Sequence, residues 1–325
     1  MTEPLIQMTK RLFLSLMMTL SIHAAEWETL PSLPAPNGGC FSGAAGSKII
    51  IVGGTNWEGG TKNWLRAIHE YDPTLKAWTK VKDLDAPIAY GTGLQNAETF
   101  AFIGGSDGKQ AIKSLVIFDG VKIVSREVPE LPTSIVLAAG GATGGGYSII
   151  VGGMDDAANV AGIQLTTHGI EALTGKVMRL ANYPGKPFAV AASAVVADEL
   201  FIFGGMNYDE SAKAPVNSAE AYAFSPKQNA WRKLKALDSP NRGMTAVAMD
   251  EQHLYLAGGF TDSFTADALI YDVKADSYRK AKALPYAAMV GLVNLDGFIY
   301  CMGGEDKMKS RTDKFFRIPV AELLK

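Results

Sequence analysis

Short apolar runs that close on a pair of glycines recur six times along the chain. KIIIVGG, TFAFIGG, YSIIVGG, LFIFGG, HLYLAGG and FIYCMGG put their pairs at Gly53-Gly54, Gly104-Gly105, Gly152-Gly153, Gly204-Gly205, Gly258-Gly259 and Gly303-Gly304. The intervals of 51, 48, 52, 54 and 45 residues each hold four short strands and their turns. A strand rich in glycine and alanine precedes each run. A strand closing on an aromatic follows most of them (Tyr71, Phe118, Phe224, Tyr271), and then a strand opened by Trp78, Trp231 or Tyr278.

This order predicts where each strand sits. Small side chains suit the strand nearest a crowded axis, and large aromatics suit the periphery, where neighbouring sheets splay and the gap must be filled. The glycine pair lets the backbone turn with positive φ between strands. The expectation is an all-β, six-bladed β-propeller whose repeats resemble Kelch repeats. The third repeat is the weakest, with no aromatic at either marker and a glycine run, GGATGGGY, in its first two strands. After FIYCMGG only one strand, TDKFFRIP, remains before the tail VAELLK, while EWETLP near the start reads as a lone fourth strand led by Trp27. The N-terminal strand is therefore expected to complete the last blade, closing the ring and removing exposed sheet edges.

The first residues follow another pattern. Lys10 and Arg11 precede the apolar run LFLSLMMTLSI, and small residues follow at Ala24 and Ala25. This predicts a secretory signal peptide over residues 1–25, with cleavage near Ala24/Ala25 and Met8 as the better start, and a single propeller domain over residues 26–325. The run is too short to span a bilayer, and no later segment offers about twenty uninterrupted apolar residues. A secreted or periplasmic protein is expected, with no membrane association after cleavage. Cys40 and Cys301 are the two cysteines. Pairing is open to them in an oxidising compartment, but two buried free thiols are the better expectation in so long a chain.

At 47% hydrophobic residues the chain can bury a sizeable core, and a formal net charge of −2 argues against a nucleic-acid surface, which needs a concentrated basic face. A small ligand is the expected partner. Because antiparallel strands alternate in direction, the segments that follow each glycine pair and the blade-to-blade connections must open on one face. The former are TNWEGGTKNW, SDGKQAIK, MDDAANV, MNYDESAKAPVNS, FTDSFTA and EDKMKSR. Asn37, Tyr90, Phe188 and Arg242 on the connections join Trp57, Trp64, Tyr208 and Phe264 as rim candidates. Of these, Asn37, Trp57, Tyr90, Tyr208 and Arg242 are the expected substrate-binding residues. His69, His168 and His253 are scattered and do not suggest a metal site, and the cysteines lack the context of a copper-radical oxidase. Asp155-Asp156 reads as a solvated turn rather than a cation site, and no nucleophile elbow or phosphate loop is present.

GGEDKMKSRTDKFF, residues 303–316, concentrates the candidate chemistry. Glu305 leaves the glycine pair and Arg311 ends the same loop, so a carboxylate and a guanidinium should face one mouth. On spacing alone a surface ion pair worth under about 1 kcal/mol is the plainer reading. The stretch nevertheless resembles the active-site blade of bacterial sialic acid mutarotases, also called N-acetylneuraminate epimerases. FGGMNYDES and AYAFSPKQNAWRKL resemble that family's first complete blade, and LPSLPAPNGGCFSGAAGSKIIIVGG resembles a blade lying after the Glu/Arg one. Here that blade comes first and the Glu/Arg blade last, as in the cyclically permuted branch. The connections YPGKPFAV and APIAYG lack an arginine of the epimerases, with Phe188 and Ile88 in its vicinity, although Tyr90-Gly91 is kept.

The resemblance implies a cofactor-independent isomerase with Glu305 as proton acceptor and Arg311 as its companion. A single carboxylate plus a water or a second acid suffices to open and reclose a cyclic hemiketal. The alternative is a non-catalytic secreted propeller that binds a glycan or protein partner, since fold alone does not give function. The sequence leaves open whether the chain forms a homodimer.

Overall fold

The structure is a computed structural model that describes residues 26–95, 99–119, 122–131, 135–156 and 158–325. The expected signal peptide lies outside the described residues. Six four-stranded antiparallel sheets form the blades of a β-propeller. Blade 1 comprises Phe41–Ala45, Lys48–Val52, Ala67–Asp72 and Ala77–Asp83. Blade 2 comprises Thr92–Gln95, Phe100–Ile103, Ser114–Phe118 and Ile123–Glu127. Blade 3 comprises Ala139–Thr143, Tyr147–Val151, Thr167–Glu171 and Val177–Arg179. Blade 4 comprises Ala192–Val196, Glu199–Phe203, Ala221–Ser225 and Ala230–Lys233, and blade 5 Thr245–Ala248, His253–Ala257, Ala268–Asp272 and Ser277–Lys280.

Blade 6 takes Met289–Leu295, Phe298–Glu305 and Phe315–Pro319 from the end of the chain and Glu28–Thr29 from its beginning. The closing register pairs Glu28 with Arg317 and Thr29 with Phe316. Arg317 Nε donates to Glu28 Oε2 at 2.6 Å. That bond, and a second from Lys76, hold the Glu28 carboxyl below its ordinary value. Trp27 lies just before the two-residue closing strand and anchors it by donating from Nε1 to the Ala283 carbonyl at 2.8 Å. The tail read as VAELLK coils into one helical turn, Val320–Leu323, that buries Leu323.

Size ordering within a blade follows the taper of the space. The innermost strands, such as FSGAA in blade 1 and AGGAT in blade 3, surround a central channel of about 410 Å³. The peripheral aromatics fill the wedges. Between blades 6 and 1, Tyr71 lies 4.8 Å from Phe315 edge-on and 5.2 Å from Trp78. Fourth-strand aromatics also tie blades 1, 4 and 5 to the segment before each: Trp78 donates to Pro31 O, Trp231 to Ala181 O and Tyr278 to Lys235 O. Blades 2 and 3 carry Ile123 and Val177 at that register position. They fill their wedges without this tie, and the glycine-rich third repeat still forms a complete blade.

Two of the expected mouth loops are ribbons instead. Thr55–Glu58 pairs with Thr61–Trp64, and Met206–Asp209 with Ala214–Asn217. The first has the alternation of a hairpin, TNWE and TKNW, across Gly59-Gly60. Both glycines have positive φ, as a tight two-residue turn requires.

Two buried tyrosines test the packing. Tyr71 and Tyr255 are both fully buried, but the Tyr71 hydroxyl has no partner whereas Tyr255 donates to Lys282 O at 2.7 Å. An unpartnered buried hydroxyl costs about 1–3 kcal/mol. Tyr71→Phe should therefore leave urea-unfolding stability unchanged or raise it, and Tyr255→Phe should lower it by about 1 kcal/mol or more.

Candidate active site

One backbone register builds the mouth six times. The N–H that begins the return to the third strand donates to the second glycine of each pair: Leu65 to Gly54, Ile112 to Gly105, Gln164 to Gly153, Ser218 to Gly205, Thr265 to Gly259 and Thr312 to Gly304. Each blade thus presents the residue after its glycine pair beside the residue before that N–H. The pairs are Thr55/Trp64, Ser106/Ala111, Met154/Ile163, Met206/Asn217, Phe260/Phe264 and Glu305/Arg311. The acid and the cation of blade 6 therefore occupy places that aromatic, hydroxyl, amide and apolar residues occupy elsewhere. Met154 and Met206 belong to an apolar cluster with Leu137, Val160, Ile163 and Val190, so the mouth is polar over blades 6 and 1 and apolar over blades 3 and 4.

A second ring lies on the connections. Tyr90 N–H donates to Gly39 O, Leu137 to Tyr90 O, Val190 to Leu137 O and Gly243 to Val190 O. All five residues have positive φ, which turns their side-chain positions into the mouth. In blade 6 the corresponding stretch is drawn into the sheet, where Met289 pairs with Glu305. The break in the collar therefore falls where the acid stands.

Arg311 Nη1 lies 3.2 Å from Glu305 Oε2. The guanidinium side is 5% exposed and the carboxylate 31%, so the cation is sheltered while the acid reaches the mouth. Nη1 also donates to Ser310 O at 2.6 Å, and Nη2 donates to Tyr90 Oη at 3.2 Å. Nε is buried without a partner, and a Cβ on Gly38 would stand 2.6 Å from it and 2.3 Å from Cδ. Only glycine at position 38 lets the arginine lie there.

Tyr90 completes the cluster. Its hydroxyl is 3.0 Å from Thr55 Oγ1, which donates to Gly38 O at 3.1 Å. Its ring meets Trp64 edge-on at 5.5 Å, and the Lys62 ammonium sits 4.6 Å from its centroid. Burial opposes ionisation of this phenol, but Lys62, Thr55 and Arg311 together outweigh it and hold Tyr90 below the ordinary tyrosine value.

The structure brings Glu305 and Tyr90 each into contact with Arg311. Asn37 is buried behind them, where it donates from Nδ2 to Gly53 O at 2.8 Å and braces the glycine turn. Trp57 stands farther along the ribbon, with Lys309 Nζ 5.9 Å from its ring. Tyr208 lies on a blade 4 ribbon, and Arg242, over the Phe260 ring at 4.7 Å, on the connection into blade 5. Lys62 and Thr55 were not foreseen. Lys62 precedes Trp64 by two positions on one strand and so shares its face, which period-two reading of TKNW would have exposed. Cys40 and Cys301 are free, and burial pushes their thiols up to about 11 and about 12. Among the described residues no cluster of three metal-ligating side chains occurs, and no helix is long and apolar enough to cross a membrane.

A family model for N-acetylneuraminate epimerase matches residues 128–285. Over this span the chain is similar to N-acetylneuraminate epimerases. The N-acetylneuraminate epimerase of Yersinia pestis (strain Pestoides F) is 24% identical over 253 residues, covering 63% of this chain and 62% of that protein. The one of Salmonella enteritidis PT4 (strain P125109) is 25% identical over 175 residues, covering 43% and 46%. The chain thus spans about three-fifths or less of the length of these relatives. The family-model match runs from the end of blade 2 through blade 5, so Tyr90, Glu305 and Arg311 lie outside it.

The environment of Tyr90 is measurable without any substrate. In an absorbance titration at 295 nm one tyrosine should ionise ahead of the others. Tyr90→Phe should remove that step, and Lys62→Ala should move it to higher pH.

Proposed function

We propose that the protein interconverts the anomers of a sialic acid by opening and reclosing its cyclic hemiketal. The observation that carries this reading is the Glu305–Arg311 pair at the channel mouth, in a chain whose curated relatives are named N-acetylneuraminate epimerases. The half-exposed Glu305 carboxylate takes the proton of the anomeric hydroxyl, and Arg311 stabilises negative charge beside it. No metal or cofactor is needed, because breaking and re-forming the bond between the anomeric carbon and the ring oxygen calls only for proton transfers to and from oxygen.

The carboxylate of the sugar acid is assigned to Lys62. Arg311 has already directed Nη1 to Glu305 and Ser310 and one Nη2 proton to Tyr90, and its Nε is packed against Gly38. A two-pronged grip on the substrate would require breaking those bonds. Lys62 lies on the rim beside Trp64 and Tyr90, whose rings offer a stacking face for a pyranose. The family-model match, confined to blades 3–5, fits a cyclically permuted chain in which the Glu-bearing blade comes last. Secretion or residence in a periplasm follows from the expected signal peptide.

Glu305→Gln should reduce the acceleration of anomer exchange by about 10²-fold or more, followed by NMR on freshly dissolved α-N-acetylneuraminate. Exchange at the unaltered rate would remove Glu305 from its role. The apolar half of the mouth favours a second reading, a glycan- or protein-binding propeller. Saturation-transfer NMR showing sugar binding without any acceleration would support it.

A further inference from the structure

Opening a hemiketal needs a proton removed from one oxygen and a proton supplied to another on the same carbon. The reading above provides a base and leaves the donor unassigned. We propose that Tyr90 is that donor, a second catalytic residue working with Glu305 across the Arg311 guanidinium.

The geometry carries the assignment, which rests on the mutarotase reading. The two terminal nitrogens of one guanidinium each lie 3.2 Å from an oxygen, Glu305 Oε2 on one side and Tyr90 Oη on the other. A planar fork of this kind holds the two oxygens in a fixed relation, and its charge favours the phenolate of Tyr90. Thr55 Oγ1 donates its proton to Gly38 O, so it accepts the bond from Tyr90 and leaves the phenol oxygen poised between Thr55 and Arg311. The collar bonds from Tyr90 N–H to Gly39 O at 2.9 Å and from Leu137 N–H to Tyr90 O at 2.6 Å fix the backbone on both sides. Among the mouth-facing collar residues Gly39, Leu137, Val190 and Gly243, none carries an exchangeable side-chain proton.

The proton balance closes. Glu305 accepts the anomeric hydroxyl proton as the carbonyl forms and the bond from the anomeric carbon to the ring oxygen breaks. That oxygen takes the Tyr90 proton, leaving a phenolate facing Arg311 and Lys62. After rotation about the neighbouring carbon–carbon bond the same hydroxyl adds to the other face of the carbonyl. It returns its proton to Tyr90, and the new anomeric oxygen receives one from Glu305. The charged or titratable groups around the phenol are Lys62 on the ribbon, Arg311 and Glu305 on blade 6, and Cys40, close enough to Arg311 to feel its charge.

The test is the pH dependence of kcat/KM for anomer exchange, corrected for the uncatalysed rate, beside the 295 nm titration of the free protein. The wild-type rate should fall on the alkaline side at the pH where the early tyrosine ionises, below the ordinary tyrosine range. Tyr90→Phe, which keeps the ring, should lower the rate by about 10²-fold and abolish that limb. Lys62→Ala should move limb and absorbance step upward together, and it serves in its place if Tyr90→Phe does not fold. An alkaline limb that stays put in Tyr90→Phe, or a rate merely scaled down with an unaltered profile, overturns the donor role and leaves the activity standing. A wild-type protein that accelerates no sialic acid overturns the activity, and the donor role with it.

Discussion

Everything at the mouth depends on the two-residue pairing that closes the ring. Glu28 and Thr29 against Arg317 and Phe316 form only a short ladder, reinforced by one charged bond and by the Trp27 anchor. A surface ion pair alone contributes at most about 1 kcal/mol, so the closure draws its strength from the wedge behind it, where Tyr71, Trp78 and Phe315 interlock. Closure sets Gly38, three residues before the first inner strand, against the side chain of Arg311. The acid and its arginine come from one end of the chain. Thr55, Lys62 and Tyr90 come from the other, Tyr90 standing 221 positions before Arg311.

The propeller supplies six nearly equivalent stations, and chemistry comes from breaking that equivalence. One station carries Glu305 and Arg311, its neighbour Thr55 and Trp64, and those opposite carry Met154 with Ile163 and Met206 with Asn217. A ligand entering such a mouth meets charge on one side and hydrocarbon on the other. Burial sharpens the contrast, because the sheltered arginine is screened by little water and exerts its field on few groups.

The architecture was legible because spacing and size carry it: the glycine pairs, the small inner strands and the outer aromatics each answer a steric demand of the ring. Glu305 and Arg311 were legible as a pair because one short loop holds both. Lys62 and Thr55 were not, since their approach to Tyr90 depends on how a ribbon folds over a connection some thirty positions later. Asn37 illustrates the converse. It stands on the rim in sequence, yet its amide turns inward to hold Gly53, a choice decided by the carbonyl that the turn leaves needing a donor. The ribbons at 55–64 and 206–217 were hidden by reading their polar residues as loop rather than counting their alternation.

The position of the seam also has a temporal consequence. During synthesis the first five blades can stack in order as they emerge, but the guanidinium has no Gly38 to lie against and no phenol to reach until the strand Phe315–Pro319 has been made and has captured Glu28 and Thr29. The Glu305–Arg311–Tyr90 cluster is therefore assembled only once the ring has closed, and a truncated or half-translated chain presents its apolar and aromatic stations without it.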